Sequence, residues 1–447
     1  MKQTARELAF KILYDIFSNK AFSNISIKKH LKIEIDPKEE NLVREIVFGV
    51  LENDLYLNYI ISKASKTPMN KIHLKIMIIL KIGIYQLLFM DRIPSSAAVN
   101  ESVKLAKIHG HKGTIGFVNG ILRNIGRNKD RFLKIEVNEK SDLISIKYSH
   151  PKWLVDRWIK EFGEDFTEEL CKENNTYSNL NIRINTLKIS KFELKNRLEK
   201  YGFIIKEGKY CDDILIIENP IRLTETEEYK LGYFIIQDES SALVGQIMNP
   251  KEGSTVLDLC SAPGGKSTHI GQIMKNKGKV LSMDFYEHKI KLIEENAKRL
   301  GIDIIQAFTG DATRYNESLK NIADYVLVDA PCSGFGLIRR KPEIKWNRKE
   351  GDIEELVEIQ RSILNNAKEY LKVGGFLVYS TCTIEKEENI NMINGFLKEN
   401  ENFRLVNIQN LVKGLENEVS LKQGFIQLYP HIHKVDGFFI AKMIKER

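Results

Sequence analysis

The sequence is poor in cysteine. Five residues, Cys171, Cys211, Cys260, Cys332 and Cys382, are spread along 447 positions with no Cys-x-x-Cys pair. That count and spacing suit neither a disulfide framework nor a zinc cluster. His431 and His433 lie close together but have no third ligand in view, so no metal is expected. Long uncharged apolar runs are also missing. Residues 72–90 come nearest, yet they contain Lys75 and Lys81, each of which would cost roughly 2.5–3.5 kcal/mol near a bilayer centre. The stretch therefore reads as a buried helix rather than a membrane span. No secretory leader precedes Thr4, and a reducing cytoplasm is expected. The Gly-x-Gly-x-x-Gly of a dinucleotide turn is absent, and a Walker loop fails because Cys260 stands where its first glycine should be.

What is there is a different glycine turn. Asp258-Leu259-Cys260-Ser261-Ala262-Pro263-Gly264-Gly265-Lys266-Ser267 follows the apolar Thr255-Val256-Leu257 and precedes an amphipathic stretch through Met274. The glycines thus fall on a strand-to-helix turn, where backbone can approach a ligand and free amides can meet an anionic end. Taken alone, the stretch leaves an ordinary tight turn as the minority reading. Downstream, a strand over 278–283 ends at Asp284, about 20 residues past the turn, the interval at which a carboxylate can take ribose hydroxyls. A strand over 302–308 ends near Asp311, and one over 324–328 ends at Asp329-Ala330-Pro331-Cys332-Ser333-Gly334. Carboxylates at successive strand ends mark the ligand edge of an open α/β sheet; Asp311 alone could be a turn-capping residue.

The segment 258–266, Asp329 to Gly334, and Ser380-Thr381-Cys382-Thr383 together resemble the S-adenosyl-L-methionine-dependent RNA cytosine-5 methyltransferases, in the family's order. The resemblance implies that Cys260, Ser261, Ala262, Pro263, Gly264, Gly265 and Lys266 line the methionine end of the cofactor. It further implies that Asp284 binds the ribose, Asp311 lies at the adenine, and Asp329 lies between cofactor and target base.

The amino-terminal third carries the excess positive charge. Residues 1–130 hold 21 Lys and Arg against 12 Asp and Glu, within a chain of net charge +8. A basic module on a near-neutral body points to nucleic acid as partner, although a solvated basic face gives the same count. Capping signals at Thr4-Ala5-Arg6-Glu7 and Asp36-Pro37-Lys38-Glu39, with apolar residues at helical spacing behind them, predict an all-helical bundle over residues 1–127. Arg92-Ile93-Pro94, residues 97–103 and residues 117–123 resemble the NusB-like RNA-binding fold. With that head, the whole chain resembles the RsmB (Sun/Fmu) branch of 16S ribosomal RNA methyltransferases. The branch implies cytosine 967, in conventional 16S numbering, as the target; transfer RNA remains an alternative substrate, and a non-catalytic RNA-binding or assembly factor an alternative function. The expected partner is 16S ribosomal RNA, with the protein a monomer and no membrane or metal involved.

The expected fold is multidomain, α plus α/β. It comprises the bundle at 1–127, a polar linker or connecting helix at 128–150, a small α+β subdomain of RNA-recognition type at 151–239, and a class I, Rossmann-like methyltransferase domain at 240–447. The last two apolar segments, 424–428 and 437–443, predict a closing antiparallel pair. The subdomain lacks an aromatic RNP signature. Residues 338–346 put Arg339, Arg340, Lys341, Lys345 and Trp346 on one loop after the Asp329 motif, either as an RNA-binding loop or as a solvated loop over a packed tryptophan.

Two cysteines suit the implied chemistry. Carbon 5 of cytosine is a poor nucleophile until another nucleophile adds at carbon 6, and a thiolate suits that reversible addition. Resemblance assigns Cys382 as nucleophile and Cys332 as helper in product release, whereas DNA cytosine-5 enzymes use the cysteine of the Pro-Cys motif. Residue chemistry alone does not choose between them. Asp329 completes the expected catalytic set.

Overall fold

The computed structural model describes residues 3–31, 35–218, 220 and 222–447. They divide into two compact units: residues 1–176 with 338–350, and residues 177–337 with 351–447.

The first unit is helical. Helix Ala5–Asn19 begins with the predicted capping box, Thr4 and Glu7 each bonding the other's backbone amide. Helix Pro37–Glu52 starts behind the Asp36 cap with proline in its first turn. Their apolar stripes, including Leu8, Ile12, Ile46 and Val50, close on helix Leu74–Phe89, which contributes Ile78, Ile82 and Ile84. That last helix is the apolar run of the sequence. Its Lys81 is buried and bonded to Asp54 at 2.5 Å, because a buried ammonium persists only with a partner. No helix among the described residues is long and apolar enough to cross a membrane.

Residues 128–150, expected to be a linker or a connecting helix, contain helices Lys129–Leu133 and Lys140–Lys147, and helices Lys152–Phe162 and Glu164–Asn174 follow in the same unit. Sparse apolar anchors hold them: Phe132, Ile144, Leu154 and the fully buried Trp158. Their short helices give little periodic signal, which is why the stretch reads as connecting text.

The second unit holds two sheets. Strands β1 (Leu180–Ile184), β2 (Ile205–Glu207), β3 (Ile214–Ile217) and β4 (Phe234–Ile236) form an antiparallel sheet in the order β2-β3-β1-β4. Ile182, Ile184, Leu194, Leu198 and Leu215 make its core beneath helix Lys191–Glu199. The larger sheet is built from β5 (Thr255–Asp258), β6 (Lys279–Asp284), β7 (Ile305–Thr309), β8 (Ala323–Asp329), β9 (Leu371–Thr381), β10 (Phe403–Leu405), β11 (Phe425–Leu428) and β12 (Phe438–Lys445). Its order is β10-β12-β9-β8-β5-β6-β7, with β11 also on β12. Neighbours from β9 through β7 are parallel, and β12 runs antiparallel to β9, β10 and β11. This is the expected Rossmann-like sheet with its antiparallel closing strands. The chain leaves β5 to one side through β6 and β7, then returns to the other side through β8. The strand order therefore reverses between β5 and β8, where such sheets bind ligands.

Candidate active site

The carboxyl ends of β8 and β9 meet in parallel register, Asp329 opposite Ser380. Ser380 Oγ donates to Asp329 Oδ1 at 2.8 Å, and Lys266 Nζ reaches Asp329 Oδ2 at 2.6 Å from the glycine turn after β5. Burial works to lower the Lys266 pKa, but the adjacent Asp329 carboxylate outweighs it and holds the ammonium above its usual value. Just beyond these ends, Cys332 Sγ and Cys382 Sγ lie 3.2 Å apart. The hydrogen bond with Cys382, together with burial, keeps the Cys332 thiol well above the ordinary thiol range. Either sulfur can be the donor of the pair.

A buried polar network fixes this geometry. Ser333 N donates to Glu388 Oε1 at 2.8 Å, Ser333 Oγ lies 2.7 Å from Thr383 Oγ1, and Gln360 Nε2 bonds both Pro331 O and Glu388. Gly336 N donates to Cys382 O at 3.1 Å. Gly336 must be glycine, because a Cβ there would lie 1.8 Å from the Gly437 carbonyl oxygen. Neither Glu388 nor Gln360 stood out in the sequence; their contacts span 28 to 55 residues, which no local pattern carries.

The glycine turn sits between β5 and helix Gly265–Ile273. Gly264 has φ +92° and lies against Ile293, so a side chain there would be strained and crowded. Ala262 N donates to Asp284 Oδ2 at 3.1 Å, and Tyr286 N donates to Asp284 Oδ1 at the same distance. Ser261 bonds Met283 O through both its amide and its hydroxyl. Asn296 Nδ2 donates to Pro263 O. Cys260 is half-buried at the start of the turn, and burial pushes its thiol up. The structure thus joins Ala262 to Asp284, Lys266 to Asp329, and Cys332 to Cys382. Asp311 stands apart: its carboxylate accepts from Thr313 N and Oγ1 and pairs with Arg314 at 3.2 Å. It also lines a pocket of ≈ 340 Å³ with Met283, Phe308 and Tyr315. Among the described residues no group of three His, Cys, Asp or Glu could hold a metal.

These residues fit S-adenosyl-L-methionine. A carboxylate pinned by two amides ends β6, a pocket with thioether and aromatic walls lies beside it, and a turn with two adjacent glycines follows β5 at the switch point.

Sequence reasoning missed a support of the turn. On β1, Ile182 and Ile184 face the small core, so Asn181, Arg183 and Asn185 share the other face, and all three are buried. Arg183 donates to Gly265 O at 2.7 Å, Thr268 Oγ1 at 3.1 Å and Gln237 Oε1. Burial brings its pKa down to about 9. Asn185 Nδ2 bonds Gly232 O and Leu300 O. A polar alternation inside a strand was the available signal.

The loop at 338–346 is packed within the helical unit. Arg339 pairs with Glu173 at 3.1 Å, and Lys345 is fully buried, bonding Glu52 O and Asn175 Oδ1 at 3.3 Å each. Burial lowers the Lys345 pKa to about 8. These two cations are therefore structural and take no part in an open RNA-binding loop.

A parallel sheet with an antiparallel closing strand, a glycine turn after its first strand and carboxylates at successive strand ends define a class I methyltransferase. Comparison with known proteins narrows the class. The description 16S rRNA methyltransferase RsmB/F matches residues 245–444, NusB family matches 3–127, and a ferredoxin-like domain of RsmF/B-like methyltransferases matches 150–224. The probable ribosomal RNA small subunit methyltransferase B of Bacillus subtilis is 39% identical, covering 100% of both chains, and that of Synechocystis is 33% identical over 99% of both. The solved structure of PH0851 superposes with a TM-score of 0.84 at 27% identity, covering 100% of both chains. The chain belongs to the RsmB/F family of methyltransferases, with a NusB-like amino-terminal domain, and its cofactor is S-adenosyl-L-methionine.

Proposed function

We propose that this protein methylates carbon 5 of a cytosine in 16S ribosomal RNA through a transient bond between Cys382 and carbon 6 of the base. The observation that carries the reading is the pair of sulfurs 3.2 Å apart beside an Asp329 carboxylate held by Lys266 and Ser380. Relatives called ribosomal RNA small subunit methyltransferase B support the substrate class, and family likeness makes cytosine 967 the target. The division of labour follows the chain: RNA binding by residues 1–127, support by 151–239, and chemistry by 240–447, in the cytoplasm.

When bound, S-adenosyl-L-methionine supplies a methyl group on a positively charged sulfur, for which the cradle residues are Cys260 to Lys266, with Asp284 at the ribose and Asp311 at the adenine. Cys382 Sγ adds to carbon 6, and the electrons displaced into the ring make carbon 5 nucleophilic. Asp329 holds the amino and ring-nitrogen edge of the cytosine, favouring that electron flow. Once carbon 5 is methylated, its proton leaves and the bond from carbon 6 to Cys382 breaks, the pair returning to sulfur. The Cys332 thiol is placed to donate a hydrogen bond to that departing sulfur. Labelled cofactor incubated with whole 16S and transfer RNA, followed by nucleoside analysis and mapping, tests the reading. Label in 5-methylcytosine at one 16S site is expected; label confined to transfer RNA or to another nucleoside overturns it.

Two variants probe the cofactor site. Asp284→Ala removes charge-assisted bonds to the ribose and should weaken binding by roughly 1.5–3 kcal/mol, which calorimetry with the intact protein measures; unchanged affinity would take Asp284 out of the site. Arg183→Met keeps the side-chain length but frees the Gly265 carbonyl. We expect cofactor affinity to fall about tenfold, a change of ~1.4 kcal/mol, without loss of secondary structure. A lower melting temperature with unaltered affinity would make Arg183 a packing residue only.

A further inference from the structure

The approach of Cys332 to Cys382 is built in, since it does not depend on two mobile thiols meeting by chance. The residue after each cysteine, Ser333 or Thr383, bonds the other across the site at 2.7 Å, and Glu388 holds Ser333 through its amide and its hydroxyl. The Cys382 carbonyl accepts from Gly336 N at 3.1 Å. Closing 3.2 Å between the sulfurs to a bond of about 2.05 Å asks for a side-chain movement of about 1 Å. Both thiols are half-buried, whereas Cys171 and Cys211 are fully enclosed.

We propose that Cys332 and Cys382 are also a site of reversible oxidation, closing to a disulfide in the presence of a hydroperoxide and so switching the enzyme off. The balance is simple. One sulfur attacks the hydroperoxide oxygen, the O–O bond breaks, and a sulfenic acid and an alcohol or water form. The second sulfur attacks the first, the S–S bond forms and water leaves. In sum two thiols and one hydroperoxide give one disulfide, one alcohol or water, and one further water. The constraint that lets one thiol assist the other in catalysis also makes the second an immediate resolving partner. This stops the first sulfur from climbing to irreversible sulfinic acid.

The test is chemical first and enzymatic second. The full-length protein is treated with stoichiometric hydrogen peroxide and quenched by alkylation. Intact mass and peptide mapping should show two of the five thiols lost, two hydrogens gone, and a cross-link between the Cys332 and Cys382 peptides that a dithiol reverses. Added oxygen atoms on either cysteine in place of the cross-link, or a cross-link to Cys260, overturns the proposal. Cys332→Ser and Cys382→Ser proteins should each lose the cross-link while retaining their fold by circular dichroism; a cross-link surviving in either overturns it as well. Methylation should fall in step with the disulfide and return on reduction. This last arm rests on the proposed function: a disulfide that forms while methylation continues would refute the catalytic roles of the pair and with them the switch, whereas absence of the disulfide refutes the switch alone.

Discussion

Cys382→Ala protein mixed with cofactor and RNA should transfer no methyl group and leave no covalent protein–RNA species, whereas Cys332→Ala should accumulate a complex that survives a denaturing gel. The difference follows from what each sulfur does. Without Cys382 no bond to carbon 6 forms, so nothing can be trapped. Without Cys332 the attack and methylation still occur, but the leaving sulfur has lost its donor 3.2 Å away, and elimination stalls. The double variant should behave as Cys382→Ala, since trapping requires prior attack. Both positions follow buried strands, and a lost thiol leaves a small cavity, so melting curves must first show that each variant folds. A trapped complex in Cys382→Ala and none in Cys332→Ala would reverse the roles.

Much of this site was legible in the sequence because its residues sit at strand ends within recognisable turns. Asp258, Asp284 and Asp329 each close an apolar run, and the glycine turn follows the first of them, so strand order alone placed them on one edge. Legibility failed where the contact is tertiary. Glu388 and Gln360 come from helical or loop text with nothing local to mark them, yet they hold Ser333 and Pro331. Arg183 belongs to a different sheet and reaches the turn at Gly265 across 82 positions. Buried Asp258 likewise acts through a tertiary setting: burial raises its pKa to about 7 and it accepts from the Ser267 hydroxyl at 2.6 Å, so it braces the turn from beneath. The cations after Gly334 misled in the opposite direction, because composition suggests a surface and only packing reveals that Arg339 and Lys345 are enclosed.

That last segment carries the other large effect expected. In a protein lacking residues 1–127, amide exchange within residues 338–350 should accelerate by at least ~10³-fold relative to the intact chain. Glu343 Oε1 accepts from Ser23 N at 2.9 Å and from Ser23 Oγ at 3.0 Å, and the Lys345 ammonium donates to Glu52 O. Truncation removes these partners together. Hydrogen bonds to charged groups contribute roughly 1.5–3 kcal/mol each, so losing these three lowers the cost of local opening by about 4.5–9 kcal/mol, a factor on the order of 10³ or more. The large sheet should keep its protection, because its two apolar faces are built from residues beyond 209. The change should also stop near Leu337, since Gly336 is tied to Cys382 O and to Gly437 N. Glu343→Ala in the full-length chain removes only the Ser23 bonds, so its acceleration should be smaller and confined to the same peptides. Equal protection of 338–350 in the intact and truncated proteins would mean that these buried bonds do not hold the segment, and that the sequence boundary at residue 127 is an energetic one as well.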